Sequence, residues 1–453
     1  MQAQKKNYLL KITAIGALGG FLFGYDTAVI SGAIGFMETK FSLSPSLKGW
    51  AVSCAILGCI IGATIAGYVA DKIGRKKALI ITAFLFAISA IGCLMAPDFT
   101  LLVIARIIGG VGVGAASMLS PLYISEISPA EKRGSLVSLY QLGIVLGIII
   151  VYFCNYLVAQ AGDEQWNVEY GWRYMLGSEA LPALVFLIAL FFVPESPRWL
   201  SKKGDDTAAL RILANINAKE KAVSIHREIK IALGQEKGKL TELFERGFRT
   251  AIIIGIILAL FSQITGINAI MYYAPEILKS AGVGVDSALM QTVLIGVINS
   301  IFTFVAIKYI DRAGRKKLLL WGVAGMIICL LVIGMLYWFD AVSGPWLLIF
   351  ILGFVACFAS SLGPIPWVMI SEIFPTKTRG MAMSICIMVL WVGVMLISQF
   401  TPVLLSDLGP SFTFWLFMVN AIFLWFFTYK MIPETKGKTL EEIEMGWKKT
   451  KTA

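Results

Sequence analysis

Charge and histidine are scarce in this chain. Charged residues fill 15% of its 453 positions, against ~25% in an ordinary soluble protein, and histidine occurs once, at His226. No P-loop, HExxH, CxxC or GxSxG sequence is present, so no recognisable enzyme arrangement is expected and a nucleotide-driven pump lacks its motor domain. The seven cysteines (54, 59, 93, 154, 329, 357 and 386) all fall in apolar segments without metal-ligand spacing. They read as buried free thiols, not as a disulfide framework or a metal site. The ~10-residue alternating segments of a membrane β-barrel are missing too.

What the chain has in abundance is apolar residues, 58% of the total, with a mean hydropathy of +0.79. They gather into about twelve segments, near 8–32, 46–69, 77–97, 99–122, 134–158, 173–193, 249–274, 287–309, 317–340, 345–369, 380–405 and 411–431. Each is long enough to cross a hydrocarbon core of ~30 Å as a helix, the form that satisfies its own backbone hydrogen bonds in lipid. The expected fold is therefore all-α, with twelve transmembrane helices. Lys5 and Lys6 precede the first run as they would in a signal peptide, but the run continues to Ile34 without a clear cleavage site and reads as a retained helix. The net charge of +11 lies in alternate loops and at the tail, which predicts cytoplasmic termini and a membrane protein, not a nucleic-acid binder.

The sequence also states its main features twice. DKIGRKK at 71–77 returns as DRAGRKK 240 residues later, and SEISPAEKRG at 125–134 returns as SEIFPTKTRG after 246. PESPR at 194–198 is echoed by PETKG at 433–437. Two six-helix bundles are expected, at 1–200 and 246–432, joined by a polar cytoplasmic linker at 201–245 and followed by a cytoplasmic tail at 433–453. A duplicated membrane unit creates an interface at which a transporter can build a site open to alternate sides.

Ionisable residues within the spans are costly, at ~2.5–3.5 kcal/mol each on insertion scales, and so read as functional or paired. Asp26 lies in the first segment, Arg106 in the fourth and Glu179 in the sixth. Asp26 and Arg106 form a plausible pair. Burial favours the neutral acid and a guanidinium favours the carboxylate, so protonation would respond to small rearrangements. A static ion pair is the alternative, and Glu179 suggests a conformational or gating role. At the loop ends, Asp71 with Arg75, Glu126 with Arg133, Asp311 with Arg315, Glu372 with Arg379, and Glu195 and Arg198 of PESPR form acid–base sets. They are placed to tie the halves together as a cytoplasmic gate, or to set topology through their positive charge, or both. The glycines of RIIGGVGVG sit inside an apolar helix and indicate close helix packing.

These motifs, in this order, resemble the sugar porter family of the major facilitator superfamily. The resemblance covers essentially the whole chain and rests also on GGFLFGYDTAVISG (19–32), QLGIVLG (141–147), QITGINAIMYYAPE (263–276), GPIPWVMISEIFPTKTRG (363–380) and PETKGKTLEE (433–442). Within the family the chain is most similar to the bacterial D-xylose–proton symporters. The resemblance implies a major facilitator fold in the cell (plasma) membrane, no enzyme activity and no cofactor beyond a coupling proton. It implies a monosaccharide, D-xylose foremost, carried by alternating access in a protein functional as a monomer. Asp26 matches the aspartate of proton-coupled members and Arg106 its partner, and Glu179 is counted with them as a candidate in proton coupling. Sugar hydroxyls are assigned to Gln141, Gln263, Asn268 and Asn299. Tyr272 would line the outer side, Trp367 and Trp391 would stack on the ring, and Phe23 and Gly363 would lie nearby.

That set suits a sugar. Neutral amides meet both the donor and the acceptor side of a hydroxyl, aromatic faces cover the C–H faces of the ring, and the break at Thr265-Gly266 would let its helix bend. Without the resemblance, the aromatics would read equally as interfacial anchors and the amides as helix glue. Three positions depart from what the resemblance implies: Ser262 stands where the family often has the first of two glutamines, and Ile148 and Leu390 stand where the xylose symporters have glutamines. Glucose, galactose and arabinose thus remain candidate substrates. A passive facilitator is the main alternative activity. A non-transporting sugar sensor is less favoured, because the tail ends about twenty residues after Pro433.

Overall fold

The structure, a computed structural model, describes residues 2–129, 132–233, 248–374 and 378–436. Among the described residues there is no strand, and eleven helices are long and apolar enough to cross a membrane. In the first half of the chain they are α1 (Gln2–Phe41), α2 (Pro45–Ile73), α3 (Arg75–Met95), α4 (Phe99–Ile127), α5 (Arg133–Gln160) and α6 (Glu164–Leu190). Three shorter helices follow, α7 (Pro197–Lys203), α8 (Asp206–Ile216) and α9 (Lys219–Leu233). The second half begins with α10 (Phe248–Ile264) and α11 (Ile267–Ser280), which together make one span. It continues with α12 (Val285–Ala313), α13 (Arg315–Trp338), the shorter α14 (Trp346–Ala359) and α15 (Ile365–Glu372), then α16 (Arg379–Asp407) and α17 (Gly409–Met431).

Three spans are interrupted, each for a local reason. The segment expected as one helix over 345–369 is two, because Pro364 has no N–H to continue the ladder. The chain turns there with Gly363 N–H donating to Phe358 O at 2.9 Å. In α6 the regular helix breaks at Ser178–Glu179, four residues and fewer before Pro182, whose missing N–H leaves the Ser178 carbonyl to Leu181 at 3.4 Å. Between α10 and α11 the expected bend falls at Gly266, whose φ of +95° is left-handed. A Cβ at Gly266 would also lie 2.4 Å from the Phe417 ring.

The chain divides into two compact units, Met1–Ala33 with Cys54–Glu236, and Ile34–Ser53 with Lys237–Ala453. Residues 34–53, the end of α1 and the start of α2, thus belong to the second unit, although α1 runs through residue 33 without a break. In the first unit the RIIGGVGVG glycines do pack helices closely. A Cβ on Gly110 would lie 1.9 Å from Ala55 O, and one on Gly114 would lie 2.1 Å from Cys59 O, so α4 seats its backbone directly on α2. Lys5 donates to Ala214 O and Asn217 O at 2.7 and 2.5 Å, joining the start of α1 to the carbonyl end of α8. The end of the expected linker with the first two residues of the expected second bundle, 234–247, and most of the expected tail, 437–453, lie outside the described residues.

Candidate functional site

In the first unit, α1, α4 and α6 bring the intramembrane charges together. Arg106 Nη1 donates to Asp26 Oδ1 at 2.5 Å and faces the Asp26 carbonyl at 3.5 Å. Asp26 is 1% exposed and Arg106 3%, so the pair is withdrawn from water on both sides. Its bonding is one-sided: among the described residues, Asp26 Oδ2 and Arg106 Nε have no hydrogen-bond partner. Oδ2 points at Gly109, where an added Cβ would lie 2.8 Å from it and 2.4 Å from Ser89 Oγ. The missing side chain at Gly109 leaves that oxygen its space. Glu179 is buried in α6, next in sequence to Ser178, and among the described residues its Oε1 has no hydrogen-bond partner.

Sequence reasoning did not single out Tyr25 and Ser178. The Tyr25 hydroxyl and Ser178 Oγ meet at 2.7 Å, joining the neighbour of Asp26 to the neighbour of Glu179. Their position beside two buried acids was the available signal. Phe23 and Gln141, also in this unit, are half-buried on α1 and α5.

In the second unit, two of the proposed sugar contacts touch each other. Asn268 Nδ2 donates to Gln263 Oε1 at 2.8 Å, and Gln263 Nε2 donates to Ser262 Oγ at 3.1 Å. The helix break at Gly266 makes this possible, because it turns the end of α10 against the start of α11. Ser262, one of the three departures, therefore orients the amide beside it, while its own hydroxyl donates to Ala259 O at 2.8 Å. Asn420 reaches the same break from α17, donating to Ile264 O at 3.3 Å, and went unnoticed in the sequence. Tyr272 and Trp391 are buried, Asn299 is half-buried, and Gly363 lies in the turn between α14 and α15. Trp367 is exposed to 39% on α15. Leu390, another departure, is buried beside Trp391.

The loop motifs form the same network in each unit. In the first, Glu195 accepts from the N–H groups of Arg75 and Lys76 at 2.8 and 3.1 Å, capping α3. Arg75 donates to both oxygens of Glu126 at 2.9 and 3.0 Å and to Asp71 at 2.9 Å, and Ser196 donates to Glu126 at 2.5 Å. In the second, Glu434 accepts from Arg315 and Lys316 N–H at 3.0 and 3.1 Å, capping α13. Arg315 donates to Glu372 at 2.9 Å and Thr435 to Glu372 at 2.5 Å.

Each cap needs a glycine before it. Gly74 and Gly314 have φ of +103° and +92°, and a Cβ would come within 2.3 Å of Glu195 or 2.6 Å of Glu434. These described contacts run within one unit. Of the other expected gate residues, Arg198 lines a cavity of about 270 Å³ with Glu126, and Arg379 donates to Phe374 O at 3.3 Å. The side chains of Arg133 and Asp311 lie outside the described residues.

A family model described as "Sugar (and other) transporter" matches residues 12–447. The chain belongs to this family. It is 46% identical over 450 residues to an arabinose-proton symporter of Bacillus subtilis, covering 98% of this chain and 96% of that protein. It is 42% identical over 475 residues to the D-xylose-proton symporter of Escherichia coli, covering 97% and 96%. Among solved structures, the inward open conformation of the xylose transporter XylE from E. coli superposes with a TM-score of 0.87 at 40% identity, over 97% of this chain and all of that one. The sugar transporter family has the major facilitator fold, so this chain is a multi-pass membrane transporter and not an enzyme.

Proposed function

We propose that this protein is a proton-coupled symporter of the plasma membrane that imports a pentose, D-xylose first, with arabinose as the main competitor. Its relatives of both names support the sugar class. The observation that carries the coupling is the buried Asp26–Arg106 pair with one carboxylate oxygen left open. A proton arriving at Oδ2 neutralises Asp26 and removes the charge that holds Arg106. The pair then loosens, and Glu179 and the Tyr25–Ser178 link are adjacent to register the change. Arg106 keeps its positive charge, so neutralising Asp26 leaves a buried guanidinium that is driven to rearrange toward other partners. Within the second unit, the sugar contacts are the Gln263–Asn268 amide pair, Asn299, Tyr272, Trp367, Trp391 and the Gly363 turn. Gln141 and Phe23 are the candidates carried by the first unit. Alternating access needs no cofactor beyond the proton. The basic loops support cytoplasmic termini, and each chain carries a full set of these groups, which supports a functional monomer.

The test is uptake of labelled D-xylose, arabinose and glucose into proteoliposomes, with and without an inward proton gradient. Wild type is expected to concentrate a pentose. Asp26→Asn is expected to retain counterflow exchange while its accumulation falls to equilibration. Accumulation by Asp26→Asn would overturn the role of this carboxylate, and equilibration by wild type would make the protein a facilitator.

A further inference from the structure

A second cluster of charges lies at the end of the spans remote from the basic loops, where residues 34–53 belong to the second unit. Lys48, at the start of α2, donates to Glu276 Oε2 on α11 at 3.1 Å and also to Glu38 near the end of α1. Lys279 donates to the other oxygen, Glu276 Oε1, at 3.1 Å, and stands over the Phe36 ring at 5.4 Å. The Lys48 side chain is 11% exposed and that of Glu276 20%, so this is no loose surface pair. A second tie lies nearby: Ser53 Oγ donates to Gln399 Oε1 at 2.7 Å, and Gln399 Nε2 donates to Ser46 O at 3.0 Å.

The bonding pattern separates this cluster from a static brace. Removing one partner from a buried ion pair normally strands the other charge at high cost. Here each side has a partner of its own. If the Lys48–Glu276 contact opens, Lys48 keeps Glu38 from its own segment, and Glu276 keeps Lys279 from its own helix. Opening strands no charge. The helix it holds has a bend point at its start, because the left-handed Gly266 separates α11 from α10, while Tyr273 donates to Ser398 O at 2.7 Å and Tyr337 donates to Ile277 O at 2.9 Å on its other faces. That same short helix carries Asn268 and Tyr272. Its fit against α1 is close: a Cβ on Gly35 would lie 2.3 Å from Glu276 Oε1 and 3.1 Å from Lys279 Nζ.

We propose that Lys48 and Glu276 form a releasable latch that fastens residues 34–53 to α11, and that its opening and closing repositions Asn268 and Tyr272 during the transport cycle. Lys48 and Glu276 are positioning residues acting through α11. The cyclic role rests on the protein being the sugar carrier proposed above; the latch itself does not.

The experiment places two spin labels, by noncanonical amino acids, at the exposed positions Ser44 and Asp286 in the reconstituted full chain, and reads their distance distribution. Wild type is expected to give mainly the short distance, with a longer one appearing on addition of D-xylose. Glu276→Gln and Lys48→Gln are expected to raise the long-distance population roughly tenfold, the scale on which a few-kcal/mol equilibrium responds to losing one differential contact. Gly35→Val wedges the contact apart without changing any charge and is expected to do the same. Lys48→Arg keeps both bonds and is expected to behave as wild type. In transport, Glu276→Gln is expected to change the sugar KM more than the maximal rate. Unchanged distances in both Glu276→Gln and Gly35→Val would overturn the latch. Failure of wild type to accumulate sugar would overturn only the symport reading, since the label distances judge the latch without it.

Discussion

Asp26 has one oxygen occupied and one open, and the open one is shaped by a residue with no side chain. Filling that space is therefore a sharper probe than removing the acid. Gly109→Ala places a methyl 2.8 Å from Oδ2 and must displace either the carboxylate or Ser89. Alanine favours the helix more than glycine does, so the fold should persist. The expected outcome is proton-driven accumulation reduced about tenfold, the effect of ~1.4 kcal/mol on a proton-binding equilibrium. Sugar counterflow is expected to stay near wild type, with uptake and counterflow compared on the same vesicles. Loss of both would indicate that Gly109 serves packing alone. The charges at this site were legible in the sequence because Asp26, Arg106 and Glu179 interrupt apolar runs. Ser262 was not legible in that way. It read as a lost glutamine, and only the bent chain shows its hydroxyl holding Gln263.

At the scale of helices, the caps of α3 and α13 make the clearest prediction. Each glutamate accepts two backbone N–H groups that would otherwise be orphaned at a helix N-terminus. Glu195→Ala and Glu434→Ala are each expected to cost ~1–2 kcal/mol and to lower the unfolding midpoint in detergent. An unchanged midpoint would show that water replaces the cap. The sequence revealed the paired motifs through their repetition and matched Asp71 with Arg75, but it set Glu126 against Arg133 and Glu372 against Arg379, where the fold brings them to Arg75 and Arg315, 51 and 57 residues away in the chain. Helix breaks were legible where a glycine-rich stretch signalled them, as at Gly266. The break before Pro364 was hidden by the continuous apolar character of 345–369. Glu276 escaped notice because it falls just beyond the apolar run that ends near 274, so it looked like a loop charge rather than half of a buried pair.

For the whole molecule, coupling sets a limit that can be measured. A single proton moving with one sugar across ~100 mV supplies ~2.3 kcal/mol, or roughly fiftyfold accumulation at ~1.4 kcal/mol per decade. Proteoliposomes held at that potential are expected to plateau near this ratio. A plateau well above it would require more than one proton for each sugar. The all-helical membrane fold could be read from hydropathy alone, although the segment expected as one span over 345–369 is two shorter helices. The unit boundary could not, since it cuts through α1 at residue 33, where the sequence continues as uninterrupted helix.

The capped network built on Glu195 and again on Glu434 also gives the polypeptide an internal control. A change made in one copy leaves its counterpart untouched in the same molecule, the same membrane and the same preparation. Any difference between Glu195→Ala and Glu434→Ala therefore belongs to the surroundings of that half and not to the motif. The repeated motif thus carries a built-in comparison for asking what each set of surroundings adds to the same cap.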